Sequence, residues 1–292
     1  MENLKDLSYE VRELVVLEAL LRRISLVNMP FLLKGSLLTR QYLQDRDLRY
    51  VEDIDFLFAG KIRDAEHARQ TFTDWMIQAT ELDLDDGIVF RSFRENAFWR
   101  SIDYAMAEDF PTVNTDLAYY LKGETRRDDQ YHELCLDVSF NLDMGMEPVA
   151  LEYQPVFGDR FVVPHTVPLS VQIAWKLHQT IVRPRFKDLY DLMHLLSHPS
   201  YDSMALAQTP QTLVNECGID PSITKADIKK ILVDDLYHLA SAVAHDYDLE
   251  KYAGGMNRDV YFMQIATDLR KIMDRVGLNG HAFEFLPSPT HP

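Results

Sequence analysis

The chain has 292 residues, with 30 basic against 46 acidic side chains, a formal net charge of −16 and a pI near 5.0. That length suits one large domain or two ordinary ones, and 47% hydrophobic with 26% charged residues is the balance of a chain that buries a core. A protein whose whole surface grips phosphates would show a basic excess, so the charge excludes that class and leaves room only for a local basic groove. Two cysteines, Cys135 and Cys217, cannot make a disulfide framework, and neither sits in a zinc-binding spacing. The opening MENLKDLSYE lacks the apolar segment of a secretory signal, and no run approaches the ~18 apolar residues of a membrane span. A cytoplasmic protein with no membrane partner is expected.

Residues 9 to 27 place Val11, Leu14, Val15, Ala19, Leu21 and Val27 among charges and read as a largely buried helix. After Pro30 the run Phe31-Leu32-Leu33 is of strand type, and Gly35-Ser36 follows, with Ser36 as the expected N-cap of a helix to about Asp45. VEDIDFLF, 51–58, alternates as a strand, with Asp53, Asp55 and Leu57 on one face and Ile54, Phe56 and Phe58 on the other. Residues 64–80 read as a helix and 88–107 as one or two strands. Phe90, Phe93, Phe98, Trp99 and Tyr104 there are expected in packing rather than as a base-stacking surface. The 109–132 region, with Pro111, Gly123 and the polar ETRRDDQ, reads as a loop. LCLDVSF, 134–140, is a second strand, with Cys135, Asp137 and Ser139 on its polar face. A connector punctuated by Pro148, Pro155, Pro164 and Pro168 follows. Beyond it helices are expected at 169–183, 186–197, 203–215, 225–247 and 258–276. The fold class is therefore α+β over residues 1–165, with an all-helical domain over 166–292.

Asp53 and Asp55 put two carboxylates on one strand face, roughly 6–7 Å apart. A divalent cation relieves their repulsion, and Mg²⁺ prefers such oxygens while keeping waters or phosphate oxygens as its other ligands. Asp137 is the natural third carboxylate if its strand is a neighbour. Such a trio can hold two ions that activate an attacking hydroxyl and neutralise a leaving pyrophosphate. Gly35-Ser36 at a helix start would offer backbone N–H groups to the phosphates. The competing reading is plainer: DxD marks only the solvent side of an edge strand, and GS only a turn.

The stretch from Ala174 to Leu192, AWKLHQTIVRPRFKDLYDL, is the second informative segment. Lys176, Thr180 and Arg183 share one helical face, Pro184 ends that helix, and Asp188 and Asp191 share a face of the next. Between 176 and 187 there are four basic residues and no acid. A helix-turn-helix corner with Arg183 paired to Asp188 is the structural alternative. His178 and His194 read as structural histidines. Ser139 lacks a paired histidine motif, and the acidic clusters at 81–86 and 246–250 read as solvated faces.

The segment LLKGSLLTRQYLQDRDLRYVEDIDFLF resembles the core signature of the DNA polymerase β-like nucleotidyltransferases, hydrophobic-G-[GS] followed by hydrophobic-DxD. Within that superfamily it is most similar to the AbiEii/AbiGii-type toxins, whose LKGGTxL, RFSxDIDF and AEKLHAL…R…RDLYDL motifs match in order over roughly residues 10–200. Leu37 stands where Thr is usual and Val51 where Ser is usual. The resemblance implies a nucleotidyltransferase-type mixed sheet flanked by helices, with the helical domain closing the cleft. It further implies Mg²⁺-dependent transfer of a nucleoside monophosphate from an NTP to an acceptor hydroxyl, in the toxin of a toxin–antitoxin or phage-defence pair, with the 3′ end of tRNA as an acceptor and a cognate antitoxin as partner. Asp53, Asp55 and Asp137 would ligate two Mg²⁺ ions. Lys34, Gly35, Ser36, Arg49, Lys176, Arg183 and Asp191 would attend the nucleotide, and Lys176 and Asp188 would assist catalysis. A nucleotidyltransferase acting on a small molecule or protein hydroxyl, or a non-catalytic nucleotide- or partner-binding relative, are the alternatives.

Overall fold

A computed structural model describes residues 4–46, 49–108, 110–124 and 131–290. The chain forms two compact units, one of residues 1–41, 49–143 and 147–167, the other of 42–48, 144–146 and 168–292. Among the described residues no helix is long and apolar enough to cross a membrane.

In the first unit, α1 (Tyr9–Ile24) opens on Ser8, whose side chain accepts from the Val11 N–H, and buries Leu17, Leu20 and Leu21. Then come β1 (Phe31–Lys34), α2 (Gly35–Thr39), β2 (Asp53–Phe58), and α3 (Ala65–Thr80), which is capped by Asp64. β3 (Ile88–Phe90), α4 (Ile102–Ala105), β4 (Thr112–Leu121), β5 (His132–Phe140), β6 (Val149–Tyr153) and β7 (Phe161–Thr166) complete it. The seven strands make one mixed sheet in the order β3-β4-β5-β2-β1-β7-β6. β2 runs parallel to β5 and antiparallel to β1, so the two strands expected to carry carboxylates are direct neighbours at the sheet centre.

The alternation in β2 builds the core. Ile54 and Phe56 are fully buried, and Phe56 meets the α3 residue Trp75 edge-on at 5.0 Å. Trp75 in turn stacks on Phe31 at 3.6 Å between ring centres, and Phe72 packs edge-to-face on both Phe31 and Phe58. Two buried ion pairs tie α1 down. Arg23, 1% exposed, binds both carboxylate oxygens of Asp86 at 2.6 and 2.9 Å, together with the carbonyls of Ala19, Leu82 and Ile88. Glu18 accepts from the Tyr153 hydroxyl and the Val156 N–H, with Arg40 at 3.8 Å.

Several expectations need correction. Within the region read as a loop, Thr112–Leu121 is the strand β4, because Val113, Thr115, Leu117, Tyr119 and Leu121 alternate inward; residue 109 and the polar run at 125–130 lie outside the described residues. The 88–107 segment holds only the three-residue β3 and then irregular chain and α4. The proline-rich connector contains the β6–β7 pair. Asp86 does not merely face solvent, since it neutralises the buried Arg23.

The second unit is helical: α5 (Leu169–Val182), α6 (Phe186–Leu195), α7 (Ser203–Ile219), α8 (Lys225–Leu232), α9 (Ala240–Val243), α10 (Tyr247–Ala253), α11 (Arg258–Val276) and α12 (Gly280–Glu284). The expected single helix over 225–247 is broken, because Asp235 caps a 3-10 turn and Asp246 caps α10. Asp246 also accepts from the Phe186 N–H at 2.8 Å, so this acid too has a structural partner.

Candidate active site

The sharp turn from β1 into α2 sets the first half of the site. Gly35 has φ +71°, a left-handed conformation that glycine adopts without strain. An added Cβ would fall 1.9 Å from Asp55 Oδ2, so the glycine is also what lets the turn lie against that carboxylate. α2 is only five residues long and is preceded by Lys34, so Ser36 is not its N-cap and the helix to Asp45 does not form. Instead the Ser36 hydroxyl accepts from Arg49 Nη2 at 2.8 Å, and Arg49 is 4% exposed. Lys34 Nζ lies 3.4 Å from Asp55 Oδ1.

Strand register sets the second half. Lys34 pairs with Asp55 across β1–β2, and Asp55 pairs with Asp137 across β2–β5. Side chains at paired positions on neighbouring strands stand about 4.8 Å apart, and Asp53 lies two residues along the same face. Burial, and then the Asp55 carboxylate, push the Asp137 pKa up, while Lys34 opposes them. Burial also pushes the neighbouring Cys135 thiol up to about 11, with Asp137 and Asp53 adding to it; the thiol of a group so poised stays protonated and is no nucleophile.

The row continues to Asn114, in the region read as a loop, and to Arg100, in the segment read as strand. Asn114 of β4 pairs with Asp137, and Arg100 bridges Asn114 from the far side. Arg100 forms an ion pair with Asp116, two residues from Asn114 on the same face. Asn114 Oδ1 is buried without a hydrogen-bond partner. Period-two alternation through TVNTDLAYYL was the signal that could have found Asn114 and Asp116.

The donor set suits a hard cation. Asp55 and Asp137 present carboxylate oxygens in register, and the Asp55 charge adds to the upward push that burial gives Asp137, a repulsion that a divalent ion would offset. Among the described residues no three acidic, histidine or cysteine side chains already converge as a chelating group. Two or three carboxylates with water and phosphate oxygens are the mode in which Mg²⁺ is commonly held.

In the second unit, Lys176 of α5 reaches Asp188 Oδ1 at 3.1 Å and Asp191 Oδ2 at 2.7 Å on α6. Both aspartates are fully buried, and Lys176 is 8% exposed. The guanidinium on Asp188 is that of Arg185, at 2.7 and 3.2 Å, rather than the expected Arg183, which is exposed where α5 ends. Two of the four cations between 176 and 187 are thus committed to two carboxylates. Burial lowers the pKa of both His178 and His194, as befits structural imidazoles. Ser139 shares a hydrogen bond with Thr112 at 2.8 Å. Of the aromatics expected in packing, Phe90, Phe93 and Trp99 are buried, whereas Phe98 and Tyr104 are 59% and 70% exposed.

A family model described as nucleotidyl transferase AbiEii toxin, of a type IV toxin–antitoxin system, matches residues 19–256. Among solved structures, MenT4, a nucleotidyltransferase toxin from Mycobacterium tuberculosis H37Rv, is 14% identical; the match covers 96% of this chain and 85% of that one, with a TM-score of 0.51. A crystal structure of an H. pylori protein described as a nucleotidyltransferase is 16% identical over 93% of this chain and 98% of that one, with a TM-score of 0.48. At such identities the likeness to MenT4 is one of α+β nucleotidyltransferase fold. No curated protein matches the sequence.

Proposed function

The chain belongs to the AbiEii nucleotidyltransferase toxin family, and on that premise we propose that it transfers a nucleoside monophosphate from an NTP to a hydroxyl at the 3′ end of tRNA, as the toxin of a toxin–antitoxin pair working in the cytoplasm. The observation that carries the reading is the register of Asp55 beside Asp137 with Gly35 pressed against Asp55.

Asp53, Asp55 and Asp137 would hold Mg²⁺, in the proposal two ions, which when bound neutralise phosphate charge and lower the pKa of a bound hydroxyl. The β1–α2 turn at Gly35 brings the start of α2 against Asp55, and a helix start is where backbone N–H groups are offered to a phosphate. Arg49 fixes the Ser36 hydroxyl at the same turn. Lys34, beside Asp55, supplies a positive charge at the phosphate end of the row. Asp137 accepts the acceptor's proton on a carboxylate oxygen. Positioning and charge compensation carry most of the rate in such phosphoryl transfer. Lys176, Arg183, Asp188 and Asp191 keep the nucleotide-attending and supporting roles that the motif resemblance implies, and a cognate antitoxin is the proposed partner.

The test is incubation with Mg²⁺, each labelled NTP in turn, and total tRNA. Label should enter tRNA with one or more NTPs and vanish with Asp55→Ala. Label found only on protein or small molecules would replace the acceptor, and full activity in Asp55→Ala would overturn the site.

A further inference from the structure

We propose that the Asn114 side-chain oxygen is a cation ligand, holding with Asp137 a divalent ion on the β4 side of the carboxylate row. The inference rests on the transfer reading for its use and on the sheet geometry for its place.

Strand register puts the two side chains together. Asn114 pairs with Asp137 across β4–β5, so both stand on the face that carries Asp53 and Asp55. The Asn114 carbonyl accepts from the Arg100 N–H at 2.8 Å, which turns its backbone groups away from β5. Asn114 and Asp137 are therefore a pair without mutual backbone hydrogen bonds. In that arrangement Cα atoms approach to about 4.5 Å and side chains are closest.

The oxygen at that position lacks a donor. Asn114 Oδ1 is buried and makes no hydrogen bond among the described residues. Its neighbours do not supply one. An ionised carboxylate such as Asp137 has no proton to offer. The guanidinium of Arg100, which bridges Asn114 from the other side, pairs with Asp116 instead. An amide oxygen beside a carboxylate is relieved by a cation set between them, and hard divalent ions take amide and carboxylate oxygens together. The fold itself gains nothing from the unpaired oxygen, since leucine would fill a similar volume without it.

The row has room for this ion beside one held by Asp55. Asp55 stands two strand spacings from Asn114, about 10 Å, so Asp137 is the carboxylate common to both positions. Among the described residues no three acidic, histidine or cysteine side chains converge, so a further oxygen has to come from another residue type or from substrate. An amide supplies it without adding negative charge to a face where Asp116 lies two residues away.

The experiment counts Mn²⁺, an oxygen-seeking stand-in for Mg²⁺ visible by electron paramagnetic resonance, on the intact chain without NTP, so binding is read apart from transfer. The parent should bind two ions and Asn114→Leu one. In chelator, Asn114→Leu should melt at or above the parent's temperature, because the unpaired oxygen is gone, and Mn²⁺ should raise it less than it raises the parent. Asn114→Asp should reverse both signs. Crowding of carboxylates lowers its melting temperature in chelator, and Mn²⁺ should bind about tenfold tighter at the second position. An amide serving only the packing would give a less stable leucine variant with unchanged Mn²⁺ binding, and the proposal would fall. It falls also if the parent binds fewer than two ions. Asn114-dependent Mn²⁺ binding in a chain that labels no acceptor keeps the ligand and removes the transfer reading. Label transfer together with an unchanged Mn²⁺ count in Asn114→Leu does the reverse.

Discussion

Replacing Lys176 with methionine tests the second unit's polar cluster without touching its packing volume. The ammonium sits between two carboxylates whose side chains are 1% and 0% exposed, and is itself 10% exposed. Asp188 keeps Arg185 at 2.7 Å while Asp191 loses its 2.7 Å ion pair with the lysine, so the buried cluster loses one positive charge. Breaking a buried pair in this way costs about 3–5 kcal/mol. At roughly 3–4 °C per kcal/mol for a unit of this size, the melting temperature should fall by about 10–20 °C. Calorimetry or a urea melt followed by circular dichroism reads it directly. Adding Asp191→Asn to Lys176→Met should recover at least half of the loss, because the surplus charge is gone and an amide still fits the site. A Lys176→Met protein within about 1 kcal/mol of the parent would refute the argument, as would a double variant no better than the single. Activity lost in Lys176 variants therefore bears on chemistry only when measured well below their own melting temperature.

Gly35→Ala should lose at least tenfold in kcat/KM for the NTP, since its Cβ would collide with Asp55 and the alanine must hold φ +71° at a cost of about 1–3 kcal/mol; unchanged kinetics would sink the role of the turn. In buffer with a chelator, the Asp137 pKa lies above its unfolded value, so the native state binds more protons and stability falls as pH rises through that raised pKa. Asp137→Asn should flatten this slope in melts across pH 4–8, and Mg²⁺ at pH 7.5 should raise the parent's melting temperature but not the variant's. Trp75→Phe should cost less than about 1 kcal/mol in urea, because the indole N–H is buried without a partner and its removal offsets part of the lost stacking on Phe31; a loss above 3 kcal/mol would show that the N–H is satisfied in solution.

How legible each part was follows from where its information lies in the chain. β2 and β5 could be read because alternation puts Asp53, Asp55 and Asp137 opposite apolar faces, and the motif order tied them to a site. Their adjacency, with Asp55 level with Asp137, could not be read, since pairing partners far apart in sequence leave no local trace. β4 was hidden by Pro111 before it and a polar run after it, although its alternation is complete. With β4 went Asn114. That Asp188 and Asp191 share one helical face was legible from their spacing, but that both hold Lys176 was not, because the angle at the proline corner decides it. Which guanidinium pairs with Asp188 was not legible: Arg183 and Arg185 are alike in composition, and only Arg185, the residue before α6, stands three positions from Asp188.

The central β2–β5 pairing also has a kinetic meaning. It is parallel and joins segments separated by α3, β3, α4 and β4, so it cannot form before β5 has been synthesised and a long loop has been closed. A nascent chain that has not reached Asp137 has Asp53 and Asp55 but no opposing carboxylate from β5. A ribosome-bound or prematurely ended product therefore lacks a complete carboxylate row, and the cell meets the full site only in chains that have passed through long-range assembly.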